Sequence, residues 1–275
     1  MFKKAERKQA RLKIGISGPS GSGKTFSALR LARGMGGKVA FIDTENGSAS
    51  LYSDRFDFDV LELEPPHTIA RYTEAINLAA KSGYDVLVVD SASHAWSDLL
   101  DRKTKQDARG GNSFTNWAKF TPEHNAFLKT ILQCPMHLIC TVRSKQDYVM
   151  AENNKGKVAP QKVGLAPVQR EGFEYEFTTM FDVAMDHNAA TSKDRTGLFT
   201  DKIFQITEGT GEMLADWLNG GVSLYEDAID LLKSPTLTEH ESWKTMAEFV
   251  EKNRLNDAAL SAGIDKMKTI IQGVN

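Results

Sequence analysis

The stretch Gly18-Pro19-Ser20-Gly21-Ser22-Gly23-Lys24-Thr25 matches G-x-x-x-x-G-K-[ST], the pattern of a phosphate-binding loop. Few short motifs constrain a fold so tightly, because the loop works only between a strand and a helix. The flanks agree. Leu12 to Ser17 read as a short buried strand, and Phe26 to Arg33 carry Ala28, Leu31 and Ala32 at helical spacing. The residue types follow from the chemistry. Gly21 and Gly23 let backbone N–H groups turn inward around a phosphate with no Cβ in the way. The helix beginning near Lys24 points its positive end at the same anion. The Lys24 ammonium reaches β- and γ-phosphates, and the Thr25 hydroxyl suits Mg²⁺. Gly18, Pro19, Ser20 and Ser22 complete the expected nucleotide-binding set, with ATP and Mg²⁺ as the implied ligands.

The rest of the chain alternates strand and helix. Lys38–Asp43 and Asp85–Asp90 are continuous apolar runs, and Val60–Leu63 is a shorter one. Between them, Pro65-Pro66 opens a predicted helix with Ile69, Tyr72, Ile76 and Ala79 on one face. Strands apolar on both faces predict an α/β fold: a mostly parallel sheet covered on both sides. Asp90 ends its strand about 65 residues after the loop and fits a Walker B acid that holds Mg²⁺ through water. Farther on, Ala92–Leu100 reads as a helix, and Pro122 starts another that runs to Gln133 with Phe127, Leu128, Ile131 and Leu132 as its apolar side. His137–Val142 is the next strand, ending in Thr141 and Arg143, polar groups at the same edge as Asp90. Thr191–Thr200 and Lys202–Thr207 suggest a hairpin, so the sheet acquires an antiparallel edge.

The expected division is a basic N-terminal extension (1–13), a core (14–208) and a helical C-terminal region (209–275). In the last, Thr238-x-x-Glu241 suggests a capping box ahead of Trp243, and Asn256 a cap for a final helix. Net charge is −2, so nucleic-acid binding has to come from local patches. Two cysteines, no signal peptide and no long apolar run predict a cytoplasmic protein with no membrane span. Cys134-x-x-His137-x-x-Cys140 lacks the further cysteine a zinc site needs, and Pro135 breaks it.

Several motifs together resemble the RecA-like branch of P-loop ATPases, over residues 10–208. Phe41-Ile42-Asp43-Thr44-Glu45 is similar to the RecA pattern in which a glutamate ends the second strand and activates water. Seven residues on stands Tyr52, where that pattern has a tyrosine stacked on adenine. Asp90-Ser91 resembles the RecA form of Walker B. Lys193-Asp194-Arg195 is similar to the lysine-x-arginine finger of RadA and DnaB-type relatives, which reaches a neighbouring subunit's ATP. The short chain most resembles small phage-encoded ATPases of recombination or single-strand annealing. That resemblance implies the cytoplasm of a bacterial host.

The resemblance implies an ATPase with Glu45, Lys24, Lys193 and Arg195 as catalytic groups, Thr141 or Arg143 as γ-phosphate sensor, and assembly as a homo-oligomeric ring or filament. It also implies DNA, single-stranded by preference, on two basic and flexible segments. The first, 102–119, carries Lys103, Lys105 and Arg109; the second, 145–170, carries Lys155, Lys157, Lys162 and Arg170, with Phe114, Trp117 and Tyr148 available for base stacking. Where RecA ends its sensor strand in Asn-Gln, this chain has Thr141-Val142-Arg143. A hexameric helicase or motor, a P-loop kinase and a nucleotide-switched scaffold share the loop and remain alternatives.

Overall fold

Five apolar runs, each too short for a helix and too hydrophobic for a surface, assemble into one sheet. A computed structural model describes residues 10–152, 158–221, 223–254 and 256–272. Its first elements are strand β1 (Lys13–Gly18), helix α1 (Lys24–Met35), β2 (Val39–Asp43) and β3 (Asp59–Glu62). Then come α2 (Ile69–Lys81), β4 (Val86–Asp90), α3 (Ser93–Ala108) and α4 (Ser113–Gln133). They are followed by β5 (His137–Glu152), β6 (Val158–Pro167), β7 (Thr179–Val183) and β8 (Ala189–Asp194). The strand order is β3-β2-β4-β5-β1-β7-β8, with β6 paired to β5. The ladders among β1, β2, β3, β4, β5 and β7 are parallel, whereas β8 joins β7 and β6 joins β5 antiparallel. β1, β2 and β4 are buried along their whole length, as strands covered on both faces must be.

One face of the core gathers Tyr72, Leu99, Phe127, Ile131, Phe173 and Phe177 around the strands. Tyr72 meets Phe127 edge-on at 5.6 Å, and Phe127 stacks on Phe173 at 6.4 Å.

Several expectations need correcting. Pro65-Pro66 precedes α2 rather than opening it; the helix starts at Ile69. The segment 102–119 is not a flexible loop. It is the end of α3, a tight turn at Gly110-Gly111, and the start of α4. Pro122 lies inside α4 instead of starting it. A proline there removes one helical hydrogen bond and costs about 3 kcal/mol. Contacts on both sides of it offset that cost. Trp117 stacks on Trp96 at 5.7 Å, and Arg102 makes a two-pronged pair with Glu123 at 2.6 and 2.9 Å. Leu132 is exposed, so the apolar side of α4 ends at Ile131.

In the second segment, 145–170, the described residues through Pro167 are strand and not loop. β5 continues to Glu152 and β6 returns antiparallel, from Glu152 opposite Val158 to Ser144 opposite Pro167. The late hairpin is displaced too. β8 pairs with β7 upstream of it; the following residues form no second hairpin strand and add the single Ala189–Phe204 bridge to the ladder among the described residues, with Phe199 and Phe204 packed on Phe181 of β7.

Contacts divide the chain into a larger unit, Leu12–Met213, and a smaller one that includes the chain from Leu214 onward. Helix α5 (Glu208–Asn219) is followed by α6 (Leu224–Leu232), α7 (Pro235–Thr238), α8 (Trp243–Lys252) and α9 (Asp257–Ile271). Leu224, Leu232, Leu237, Val250, Leu260 and Ile264 form the core of the smaller unit. Asn256 caps α9 by accepting from Ala259 N–H at 3.0 Å. The expected capping box at Thr238 is absent: Thr238 ends α7, and Ser242 precedes α8 without a side-chain cap. Among the described residues no helix is long and apolar enough to cross a membrane.

Phe127 is 1% exposed between Tyr72 and Phe173. Phe127→Ala is expected to destabilise the larger unit by about 3–5 kcal/mol, read as a lower urea midpoint at unchanged slope.

Candidate functional site

The carboxyl ends of the parallel strands share one edge of the sheet, and ligands of open α/β sheets bind outside that edge. Register brings Gly18 level with Arg143, and Asp43 level with Asp90. The phosphate loop leaves β1 here. Gly21 (φ +82°) and Gly23 (φ +89°) hold the left-handed conformation the loop requires. Gly23 caps α1 with no side-chain acceptor for the helix's first N–H groups, which leaves them for an anion.

Lys24 is 8% exposed, and its ammonium donates to the Pro19 carbonyl at 2.8 Å. Burial pulls its pKa below the usual lysine value; Asp90 and then Glu45 oppose that shift, and Arg143 reinforces it. The Ser22 hydroxyl is buried and has no hydrogen-bond partner. An orphan donor in a loop of inward-turned amides is what a phosphate oxygen satisfies.

Asp90 is 1% exposed. The Thr25 hydroxyl donates to its Oδ2 at 2.5 Å, and the Thr141 hydroxyl donates to its Oδ1. Burial raises the Asp90 pKa; the bonds from Thr141 and Thr25 hold it down, and the Glu45 charge raises it further. A buried carboxylate beside a threonine hydroxyl and a phosphate cradle is a fitting donor set for Mg²⁺, which favours oxygen ligands. No cluster of three or more His, Cys, Asp or Glu suited to a metal exists among the described residues. Thr25 and Asp90 are the adjacent side-chain oxygens that could join phosphate oxygens around such an ion.

Glu45 is placed by its neighbours. Asp43, buried at the end of β2, accepts from Glu45 N–H at 2.6 Å and Ala49 N–H at 2.9 Å. That turn delivers Glu45 and leads into a short 3-10 helix, Ala49–Tyr52. The Glu45 carboxylate pairs with the Arg143 guanidinium at 2.9 Å. Arg143 is fixed at its backbone, where its N–H donates to Ser93 Oγ at 2.9 Å. Thr44 stitches β2 to β4: its N–H and its hydroxyl both reach the Asp90 carbonyl, at 2.7 and 3.0 Å. Tyr52 packs its ring against Phe26, in the first turn of α1, at 5.6 Å.

The structure does not bring Lys193 and Arg195 to this edge. Register sets Lys193 opposite Met180, which lies opposite Gly15, toward the amino end of the sheet. Both side chains donate to the Tyr175 carbonyl, Arg195 at 3.2 Å.

The basic candidates also scatter. Lys103 is not a loop cation. It continues the buried stripe of Ala95 and Leu99, bonds Asp107 and Ser113, and lies 5.2 Å from the Trp117 ring. Arg170 is half-buried, 5.9 Å from the same ring. Trp117 is accordingly a packing residue. Lys105, Arg109 and Phe114 are exposed around the α3–α4 turn. Lys155 and Lys157 lie outside the described residues, as do the side chains of Lys162 and Tyr148; the backbones of the latter two face each other on β6 and β5. Cys134 and Cys140 are both buried and joined by no disulfide, and His137 Nδ1 accepts from Leu12 N–H at 3.2 Å.

Two groups at the site carry no role in the sequence reading. Asp43 shapes the Glu45 turn, and its place two residues before Glu45 is the available signal. His187, in the turn between β7 and β8, contacts the Ser22 carbonyl at 2.9 Å. Nothing in its local sequence indicates which loop it faces.

Residues 10–215 match the family model described as AAA domain. The chain belongs to that family. Its AAA domain is a P-loop ATPase domain and takes in the phosphate loop, Glu45, Asp90 and Arg143. Among curated proteins none matches the sequence. Two solved structures are similar at low identity. One is a RadB recombinase, at 18% identity and a TM-score of 0.42, covering 74% of this chain and 90% of that one. The other is an ATPase from the type III secretion system of pathogenic bacteria, at 12% identity and a TM-score of 0.37, covering 95% and 81%.

Burial works against the charged form of Asp90. Asp90→Asn is expected to raise the thermal stability of the Mg²⁺-free protein by about 1 kcal/mol while removing Mg²⁺-dependent turnover. Calorimetry beside a phosphate-release assay checks both halves.

Proposed function

We propose that this AAA-type ATPase hydrolyses ATP at the carboxyl edge of its sheet and acts on DNA, single-stranded by preference, in recombination, annealing or replication. The observation that carries the hydrolytic half is convergence. The loop, the Thr25–Asp90 contact, Glu45 and Arg143 meet at one edge, though they come from four separate strands or the turns that follow them.

Mg²⁺, when bound, neutralises charge on the β- and γ-phosphates. Thr25 and Asp90 would hold it, and Thr141 keeps the Asp90 carboxylate in orientation. Lys24 exchanges its Pro19 carbonyl for phosphate oxygen, a stronger charge-assisted contact. Glu45 orients the attacking water and accepts its proton, as a carboxylate at a strand end facing the γ-phosphate can. Arg143, paired with Glu45, serves as the γ-phosphate sensor; its side chain is 46% exposed and its backbone anchored. Tyr52, braced on Phe26, offers its ring to the adenine.

Lys193 and Arg195 sit toward the opposite edge, so as fingers they serve a neighbour's ATP, not their own. This supports a head-to-tail homo-oligomer. For DNA, the support is the β5–β6 ribbon and the exposed Lys105 and Arg109 at the α3–α4 turn. β5 carries Thr141 and Arg143 before it enters the ribbon, so one strand touches both the acids and the proposed DNA arm.

The deciding experiment is ATP turnover with and without single-stranded DNA over a range of protein concentration. Stimulation that grows with concentration is expected, and Glu45→Gln should lower kcat about 100-fold while leaving ATP affinity unchanged. Turnover indifferent to DNA and to concentration would move the reading to a kinase or switch.

A mixing experiment addresses the fingers. Lys24→Ala and Arg195→Ala should each be inactive alone. Mixed, they should regain part of the wild-type rate, because an intact loop can then face an intact finger. No recovery in a mixed assembly would remove the trans assignment.

A further inference from the structure

The turn that joins β7 to β8 stands against the phosphate loop. Asp182 pairs with Ser17, so the residues after it emerge beside the loop. The contacts are close. A Cβ on Gly18 would lie 2.6 Å from the Val183 carbonyl oxygen, and one on Gly23 would lie 3.2 Å from His187 Nδ1. Between them, a Cβ on Gly21 would sit 3.7 Å from Met185. Each glycine of the motif thus faces the same short segment.

His187 makes the directed contact, with Nδ1 2.9 Å from the Ser22 carbonyl oxygen. A carbonyl only accepts, so Nδ1 carries the proton. The residue is held at φ +66°, a region that residues with a side chain seldom enter. The turn keeps it there. His187 N–H donates to the Ala184 carbonyl at 3.0 Å, Ala184 N–H donates to the Asn188 carbonyl at 2.8 Å, and Asp186 accepts from Asn188.

We propose that His187 is a positioning residue for nucleotide binding, fixing the Ser22–Gly23 peptide so that the Gly23 N–H faces the phosphate. The proposal rests on the reading of the loop as an ATP site. In a planar trans peptide the N–H points opposite the C=O. With the Ser22 carbonyl tied to the hairpin, the Gly23 N–H is turned away from it, toward the cradle. Glycine rotates at little steric cost, so without a tie this peptide can flip and present its oxygen to the anion. The His187 bond removes that state before nucleotide arrives, and a pre-ordered site loses less entropy on binding.

Two substitutions separate the hydrogen bond from the backbone strain. His187→Gly relieves the positive φ and deletes the donor. His187→Asn keeps a side-chain donor on a residue that tolerates the left-handed region. The probe is a fluorescent ADP with Mg²⁺, read beside KM and kcat for ATP and the melting temperature of the nucleotide-free protein.

His187→Gly should weaken ADP binding and raise KM by about tenfold, with kcat and melting temperature nearly unchanged. His187→Asn should stay close to wild type. If the Gly variant binds as wild type does, the proposal is overturned. If both variants weaken equally, ring packing and not the donor is responsible, which also overturns it. Failure of the wild-type protein to bind ADP would instead sink the ATP-site reading, and this proposal with it.

Discussion

A carboxylate buried at the end of β4 sets the terms for the rest of this molecule. Asp90 has lost nearly all contact with water, and an ionised acid there is costly unless neighbours supply donors. Thr25 supplies one from α1 and Thr141 another from β5, while Thr44 binds the Asp90 carbonyl from β2. Three elements are thereby pinned around one residue, two through its carboxylate and one through its backbone carbonyl. The position of α1 relative to the sheet, and so of the phosphate loop at its head, follows from that arrangement. The acid proposed to meet a cation also ties α1 and β5 together by itself.

What the sequence made legible was local. The glycine loop, the strands on either side of α1 and the acid ending β4 each declare themselves within a few residues, because backbone conformation and burial pattern are short-range properties. The Asn256 cap was legible for the same reason. The α3–α4 pair was not. Gly110-Gly111 does mark a turn, but the extent of the flanking helices depends on Trp96 meeting Trp117 and Arg102 meeting Glu123. Lys103 looked like a solvated cation, yet its stem fills a core stripe and its head closes the turn. The β5–β6 ribbon is hard to read because its sequence lacks the polar–apolar alternation that marks a half-buried strand, and Pro160 and Gly164 interrupt β6.

The site shows the same limit. Its acids and loop could be listed from the sequence, but not their partners. Arg143 lies 98 residues from Glu45 and His187 lies 165 residues from Ser22. Only sheet topology, with β5 and β7 on either side of β1, makes those pairs neighbours.

The opposed edges of the sheet carry an arithmetic of their own. If Lys193 and Arg195 complete a neighbour's site, each subunit both lends and borrows, and the contact between copies joins unlike surfaces. An open row of such subunits always has one terminal loop that no copy completes, whereas a closed circle has none. In short rows the idle terminus is a large share of the whole, so turnover per subunit climbs with row length. In a circle it is constant from the moment of closure.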